Sequence, residues 1–154
     1  MTVHQHLVDG RPALRLTRHL EHSVERVWRA VSEPAELAKW FVDEPGWTPA
    51  VGEKYEAAGA AVLVTEVAPP HVLAWTWGEE SYRFELSAEG DGCLLVFTHV
   101  FTPAFGPDWQ HAAGWDAYFN RLDALLAGGF LSEEDAHVGM DAAQAHYRQA
   151  FAAT

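Results

Sequence analysis

A chain of 154 residues, 49% hydrophobic, can bury one substantial core and is too short for two ordinary domains. Its 22 acidic against 10 basic residues give a net charge of -12, with the basic residues scattered, so the counterion-release attraction that draws proteins to nucleic acid and anionic membranes is missing. The one cysteine, Cys93, cannot form an internal disulfide; no apolar stretch approaches the ~20 residues that span a bilayer, and the start of the chain lacks a signal-peptide pattern, so a soluble, cytoplasmic protein is expected.

Residues 1–12 are polar and are expected to form a mobile N-terminus carrying His4 and His6. ALRLTRHL, from Ala13 to Leu20, alternates and predicts a first strand. Ser23 then fits the N-cap of a short helix in which Val24, Val27, Trp28 and Val31 share a face. Ser32 and Pro34 mark the opening of a second helix, striped by Leu37, Trp40 and Phe41 and ended by Pro45 and Gly46. From Val51 to Thr102 the period becomes two, predicting strands near 51–57, 61–68, 72–77, 82–88 and 93–101 with turn residues between them. With the first strand this makes about six antiparallel strands.

Alternation sorts the side chains of these strands. Leu73, Trp75 and Trp77 share one face, as do Tyr82, Phe84 and Leu86, and Leu95, Phe97, His99 and Phe101; Arg83, Glu85 and Ser87 mark a solvated exterior. The segment Trp109–Leu126 predicts a long helix with His111, Trp115, Tyr118, Phe119, Leu122, Leu125 and Leu126 on one arc and Asp116, Asn120, Arg121 and Asp123 outside it. Gly114 should cost about 1 kcal/mol against alanine in a helix interior, which predicts close approach of a backbone or a large ring. Gly128 and Gly129 end the helix. Beyond them, SEED at Ser132–Asp135 opens an appended helix, 131–154, whose stripe of Ala136, Met140, Ala143, Tyr147, Ala150 and Phe151 is expected to dock on the domain of residues 13–130, with a homodimer as the other use of that face.

SVERVWRAVSEPAELAKWF near the start, THVF at Thr98–Phe101 and HAAGWDAYFNRLDALL near the end together resemble the signatures of the activator-of-Hsp90-ATPase-homologue-like (AHSA1-like) branch of the START/Bet v 1 superfamily, also called SRPBCC. The resemblance covers roughly residues 13–129 and lies in the order and spacing of the three segments. It implies an α+β helix-grip fold, in which a curved antiparallel sheet wraps a long C-terminal helix and leaves an apolar cavity.

Trp40, Trp75, Trp77, Phe84, Phe97, His99, Phe101, His111, Trp115 and Tyr118 are the candidate cavity residues, with Trp47 and Trp109 as further tryptophans that could line it. Rings at these spacings are as readily plain core. His99 and His111 are the candidates for acid or base work, although a structural histidine is the commoner role and no carboxylate can be placed beside either from the sequence. His19 and His22 lack metal-site spacing, and no phosphate-cradling loop or nucleophile elbow is present, so no metal and no cofactor are expected. The leading expectation is binding or carriage of a hydrophobic small molecule. An enzyme of the cyclase, aromatase or hydrolase kind, using His99, His111, Tyr82 or Tyr118, and a chaperone ATPase co-regulator are the alternatives.

Overall fold

Alternating apolar residues on successive strands drive a single seven-stranded antiparallel sheet in a computed structural model that describes residues 1–41 and 49–153. The strands are β1 (Thr2–Val8), β2 (Arg11–Leu20), β3 (Lys54–Ala57), β4 (Ala60–Ala68), β5 (Val72–Trp77), β6 (Glu80–Glu89) and β7 (Gly92–Val100), in the spatial order β1-β2-β7-β6-β5-β4-β3. The helices are α1 (Val24–Ser32), α2 (Pro34–Leu37), α3 (Asp108–Leu126), α4 (Glu133–Ala136) and α5 (Met140–Ala152), with a 3-10 turn at Pro103–Phe105. The sheet curves around α3, as the helix-grip architecture requires.

The amino terminus departs from expectation. Residues 2–8 are an edge strand paired with β2 from Thr2↔Thr17 to Val8↔Arg11. Asp9 and Gly10, at φ 51° and 78°, make the tight reversal that positive φ at two successive residues gives a hairpin. The segment expected to follow Pro34 as one helix is α-helical only to Leu37, and the proposed stop at Pro45 and Gly46 lies outside the described residues. Trp40 returns to cap α1: its indole N–H donates to the Ala30 carbonyl at 2.7 Å, one of the last-turn carbonyls that a helix leaves without an internal partner.

The long helix also differs from a one-sided amphipath. Trp115, Phe119, Leu122 and Leu126 are buried as expected, but so are Ala112, Ala113 and Ala117, because α5 covers the side of α3 turned from the sheet. Arg121, expected to face solvent, is buried as well. The appended segment is two helices, α4 and α5, broken at His137–Gly139. Ser132 caps α4 by accepting from the Asp135 N–H at 3.0 Å.

Tyr147 anchors α5, its hydroxyl donating to Asp116 Oδ1 at 2.8 Å. Burial pushes the Asp116 carboxyl above its ordinary value, and the Tyr147 hydroxyl works against that rise. Tyr147→Phe should therefore lower the unfolding free energy by about 1 to 2 kcal/mol, the range for a hydrogen bond to a charged group that keeps some solvent. Urea titration would measure the loss. Amide exchange should quicken in residues 140–152 first.

Candidate functional site

Strand register builds the site in rows. Trp75 pairs with Tyr82 and Tyr82 with His99, so these three side chains stand abreast on the inner face of β5, β6 and β7. Their rings stack, Trp75 on Tyr82 at 5.2 Å and Tyr82 on His99 at 4.7 Å between centroids. One row deeper, Leu73, Phe84 and Phe97 are fully buried. Phe119 from α3 lies 5.5 Å from Phe97, and Trp40 lies 6.2 Å from Phe84, so that row is filled. One row toward the open end, Trp77 pairs with Glu80. Here α3 presents His111, Gly114 and Trp115, and the space between helix and sheet is a cavity of about 310 Å³.

Phe41, Trp75, Trp77, Tyr82, Trp115 and Tyr118 supply the rings of its wall, Glu80, His99, His111 and Gln110 its polar atoms, and Phe105 and Gly114 complete it. A neighbouring hollow of about 400 Å³ shares Trp77, Glu80, Tyr82 and Phe105 with it, so Phe105, which is 69% exposed, stands between the two.

Six of the ten sequence candidates thus meet around one space: Trp75, Trp77, His99, His111, Trp115 and Tyr118. The other four do not line it. Trp40, Phe84 and Phe97 are packed in the deeper row, and Phe101 borders a different cleft beside Pro12 and Asp108 while touching the His111 ring at 4.9 Å. Phe97 and Trp115 are in direct edge contact at 4.7 Å, so the open volume lies on the Trp77 side of Trp115. Trp109 receives the Arg148 guanidinium 4.1 Å over its ring, and Trp47 lies outside the described residues.

Gly114 has no close neighbour at the position a Cβ would take, which overturns the expected tight approach of a ring or backbone. What the glycine leaves is room in the cavity wall.

The two histidines are not equivalent. Their rings are 5.3 Å apart and nearly perpendicular. His99, only 3% exposed, has both nitrogens engaged: Nδ1 accepts from the Trp115 indole N–H at 3.0 Å and Nε2 lies 2.6 Å from Glu80 Oε1. An indole nitrogen only donates, so Nδ1 carries no proton and Nε2 donates to the carboxylate. The tautomer is fixed by its partners. Glu80 also accepts from the Tyr82 hydroxyl and the Thr102 N–H, each at 3.3 Å. Burial pushes its carboxyl up, but the hydrogen bonds from His99 and Thr102 outweigh that and hold it below the ordinary value. Tyr82 is pushed well upward by burial and by the Glu80 charge, and Tyr118, donating to Glu133 Oε1 at 2.9 Å, is pushed up to about 12 by burial and that contact.

His111 has no such closure. Its ring borders the cavity, while its Nε2 is buried and meets no hydrogen-bond partner among the described residues. Burial lowers its pKa, against the pull of the Glu80 carboxylate.

Glu80 is the residue that sequence reasoning placed in a turn. Tyr82, Phe84 and Leu86 point inward, and Glu80 is the next position of the same parity. Among the described residues, no three His, Cys, Asp or Glu side chains are grouped to hold a metal ion, and no helix is long and apolar enough to cross a membrane.

Residues 21–127 match the family described as activator of Hsp90 ATPase homolog 1-like protein. No curated protein matches the chain. Among solved structures, CalU16 from Micromonospora echinospora superposes with a TM-score of 0.76 at 22% identity, over 99% of this chain and 94% of that one. Protein MLL2253 from Mesorhizobium loti gives 0.66 at 25% identity, over 77% and 99%. The Aha1 dimer from Colwellia psychrerythraea gives 0.60 at 18% identity, over 74% and 95%.

Proposed function

The chain belongs to the activator of Hsp90 ATPase homolog 1-like family, and from that premise we propose that it binds and carries an apolar, aromatic small molecule between α3 and the sheet. The observation that carries this reading is a cavity walled by three indoles, Trp75, Trp77 and Trp115, into which a helical glycine leaves space that no neighbour fills. A volume of about 310 Å³ is within the range of small-molecule sites, and flat rings bring large apolar area at low entropic cost. Carriage is favoured over turnover because His99 has both ring nitrogens engaged by Trp115 and Glu80, which leaves it a positioning part of the wall. The apolar stripe of α5 is engaged by α3 of the same chain, which favours a monomer over a dimer built through that face. The buried free thiol of Cys93 supports a cytoplasmic setting.

Substitution at Gly114 tests the site with little confusion from folding. Gly114→Leu should hold or raise the melting temperature, since it removes a helix-interior glycine worth about 1 kcal/mol, while filling the hollow. In fluorescence or calorimetric titrations with naphthalene derivatives, the unaltered protein should bind saturably. Gly114→Leu should weaken that binding at least about tenfold, a loss of about 1.4 kcal/mol, and Trp77→Ala should weaken it too. Equal affinity in Gly114→Leu would place the guest elsewhere. Native mass spectrometry of the purified protein would reveal a retained occupant directly.

A further inference from the structure

The inner faces of β4 and β5 end unequally at the open end of the sheet. On β5 that face runs Leu73, Trp75, Trp77, and on β4 it runs Val64, Val62, Ala60, with Val62 paired to Trp77. One step beyond that pair, only a methyl group on β4 stands beside Gly78, where a Cβ would lie 3.5 Å from the Ala60 Cβ. Ala58, in the turn between β3 and β4, adds as little bulk. Small residues at these three positions leave the hollow of about 400 Å³ beyond Trp77. The Trp77 ring is fixed between the two spaces, its indole N–H donating to the Ala57 carbonyl at 2.9 Å. Phe105, bordering both and largely uncovered, is apolar area that a guest lying across both would take out of water. Charge sets a second limit. Glu79 and Glu80 border this hollow, and among the described residues no lysine or arginine borders either space. An anionic group entering there would give up its hydration beside carboxylates, with no cation to pair with.

We propose that the two spaces form one elongated site, and that its guest is an uncharged compound with two ring systems, one against α3 and the other over Trp77 toward Ala58 and Ala60. This rests on the cavity reading above and adds the length and charge of the guest. Ala60 is then the residue that sets the length, because its side chain continues the inner face of β4 into the second hollow.

The test compares 2-naphthol with 6-phenyl-2-naphthol, which carries a second ring on the long axis of the same skeleton, and with the analogue bearing a carboxylate at the far end of that ring. Calorimetric titration of the unaltered protein should give the extended naphthol at least about tenfold tighter binding than 2-naphthol, from burial of the added ring. The carboxylate should cancel most of that gain. Any larger apolar ligand gains something on leaving water, so the decisive comparison is Ala60→Trp, which fills the second hollow from a partly exposed strand position where an aromatic residue is favoured. Ala60→Trp should leave 2-naphthol affinity within about twofold and cut the gain from the added ring to about threefold or less. In the unaltered protein, nuclear Overhauser contacts should join the phenyl protons of the bound guest to the Ala58 and Ala60 methyl groups, a readout that does not depend on the variant folding. A gain that survives Ala60→Trp, phenyl protons that meet neither methyl group, or a carboxylated guest that binds as tightly as the neutral one overturns the elongated, uncharged guest and leaves the cavity reading standing. Failure of both naphthols to bind overturns the cavity reading for this class of guest, and the elongated site with it.

Discussion

Arg121→Met is expected to lower the unfolding free energy by at least about 3 kcal/mol. Its guanidinium, 6% exposed, donates to three backbone carbonyls: Lys39 at 3.1 Å, Phe41 at 3.3 Å and Leu131 at 2.9 Å. Those acceptors belong to the turn after α2 and to the link between α3 and α4, so one side chain ties three stretches of chain that no regular ladder joins. Methionine preserves much of the aliphatic packing but leaves the carbonyls without donors, each at a cost of about 1 to 3 kcal/mol where water cannot replace the bond. Urea unfolding would give the loss. Phe41, whose carbonyl Arg121 holds, is part of the cavity wall, so affinity for naphthalene derivatives should fall together with stability. Arg121→Lys should rescue only part of this, because one ammonium cannot reproduce the planar fork that reaches all three acceptors.

Glu80→Ala should cost about 3 kcal/mol near neutral pH, because the Nε2–H of His99, the Tyr82 hydroxyl and the Thr102 N–H all lose their acceptor within the buried wall. The cost has a pH signature. The folded protein holds the Glu80 carboxyl below its ordinary value of 4.5, so the stabilisation is full above that value and is lost as pH falls through the lower folded value. Acid titration of the unaltered protein should therefore show a stability decline in that window which Glu80→Ala largely lacks, the two curves converging at low pH. His111, whose pKa is also lowered, withdraws stability at higher pH, as the unfolded chain begins to bind a proton near 6.5. That earlier decline should persist in Glu80→Ala. Parallel curves at all pH values would contradict the assignment of Glu80 as the ionised acceptor.

The sheet, most of its inward faces and the long helix were legible from periodicity, because β4, β6 and β7 alternate over most of their length and α3 repeats at helical spacing, whereas β5 buries Leu73, Ala74 and Trp75 in succession. The first strand was not, since His4, Gln5 and His6 give β1 no apolar face. Its signal was Asp9-Gly10, a dipeptide that favours a two-residue hairpin and that polar flanks concealed. Arg121 was missed for a different reason. A helical wheel assigns a charged residue to water, whereas this guanidinium is buried by pairing with carbonyls that periodicity does not reveal. At the site, parity put Trp75, Trp77, His99, His111, Trp115 and Tyr118 on inward faces, but depth along the sheet decided which inward residues are core and which meet the cavity. Phe84 and Phe97 have the same parity as Tyr82 and His99 and sit one row further in, where Trp40 and Phe119 fill the space. Glu80 could have been found by extending the β6 alternation two residues back.

The two margins of the sheet bear on how such a protein stays dispersed. A margin exposes unpaired N–H and C=O groups, the template on which neighbouring molecules add strands and precipitate. On one side β3 offers four residues, too short a ladder for a lasting graft; on the other, β1 presents exposed His4, Gln5 and His6. Exchanging those three for valine, threonine and valine should make concentrated solutions cloud on standing, with aromatic binding unimpaired in whatever remains clear.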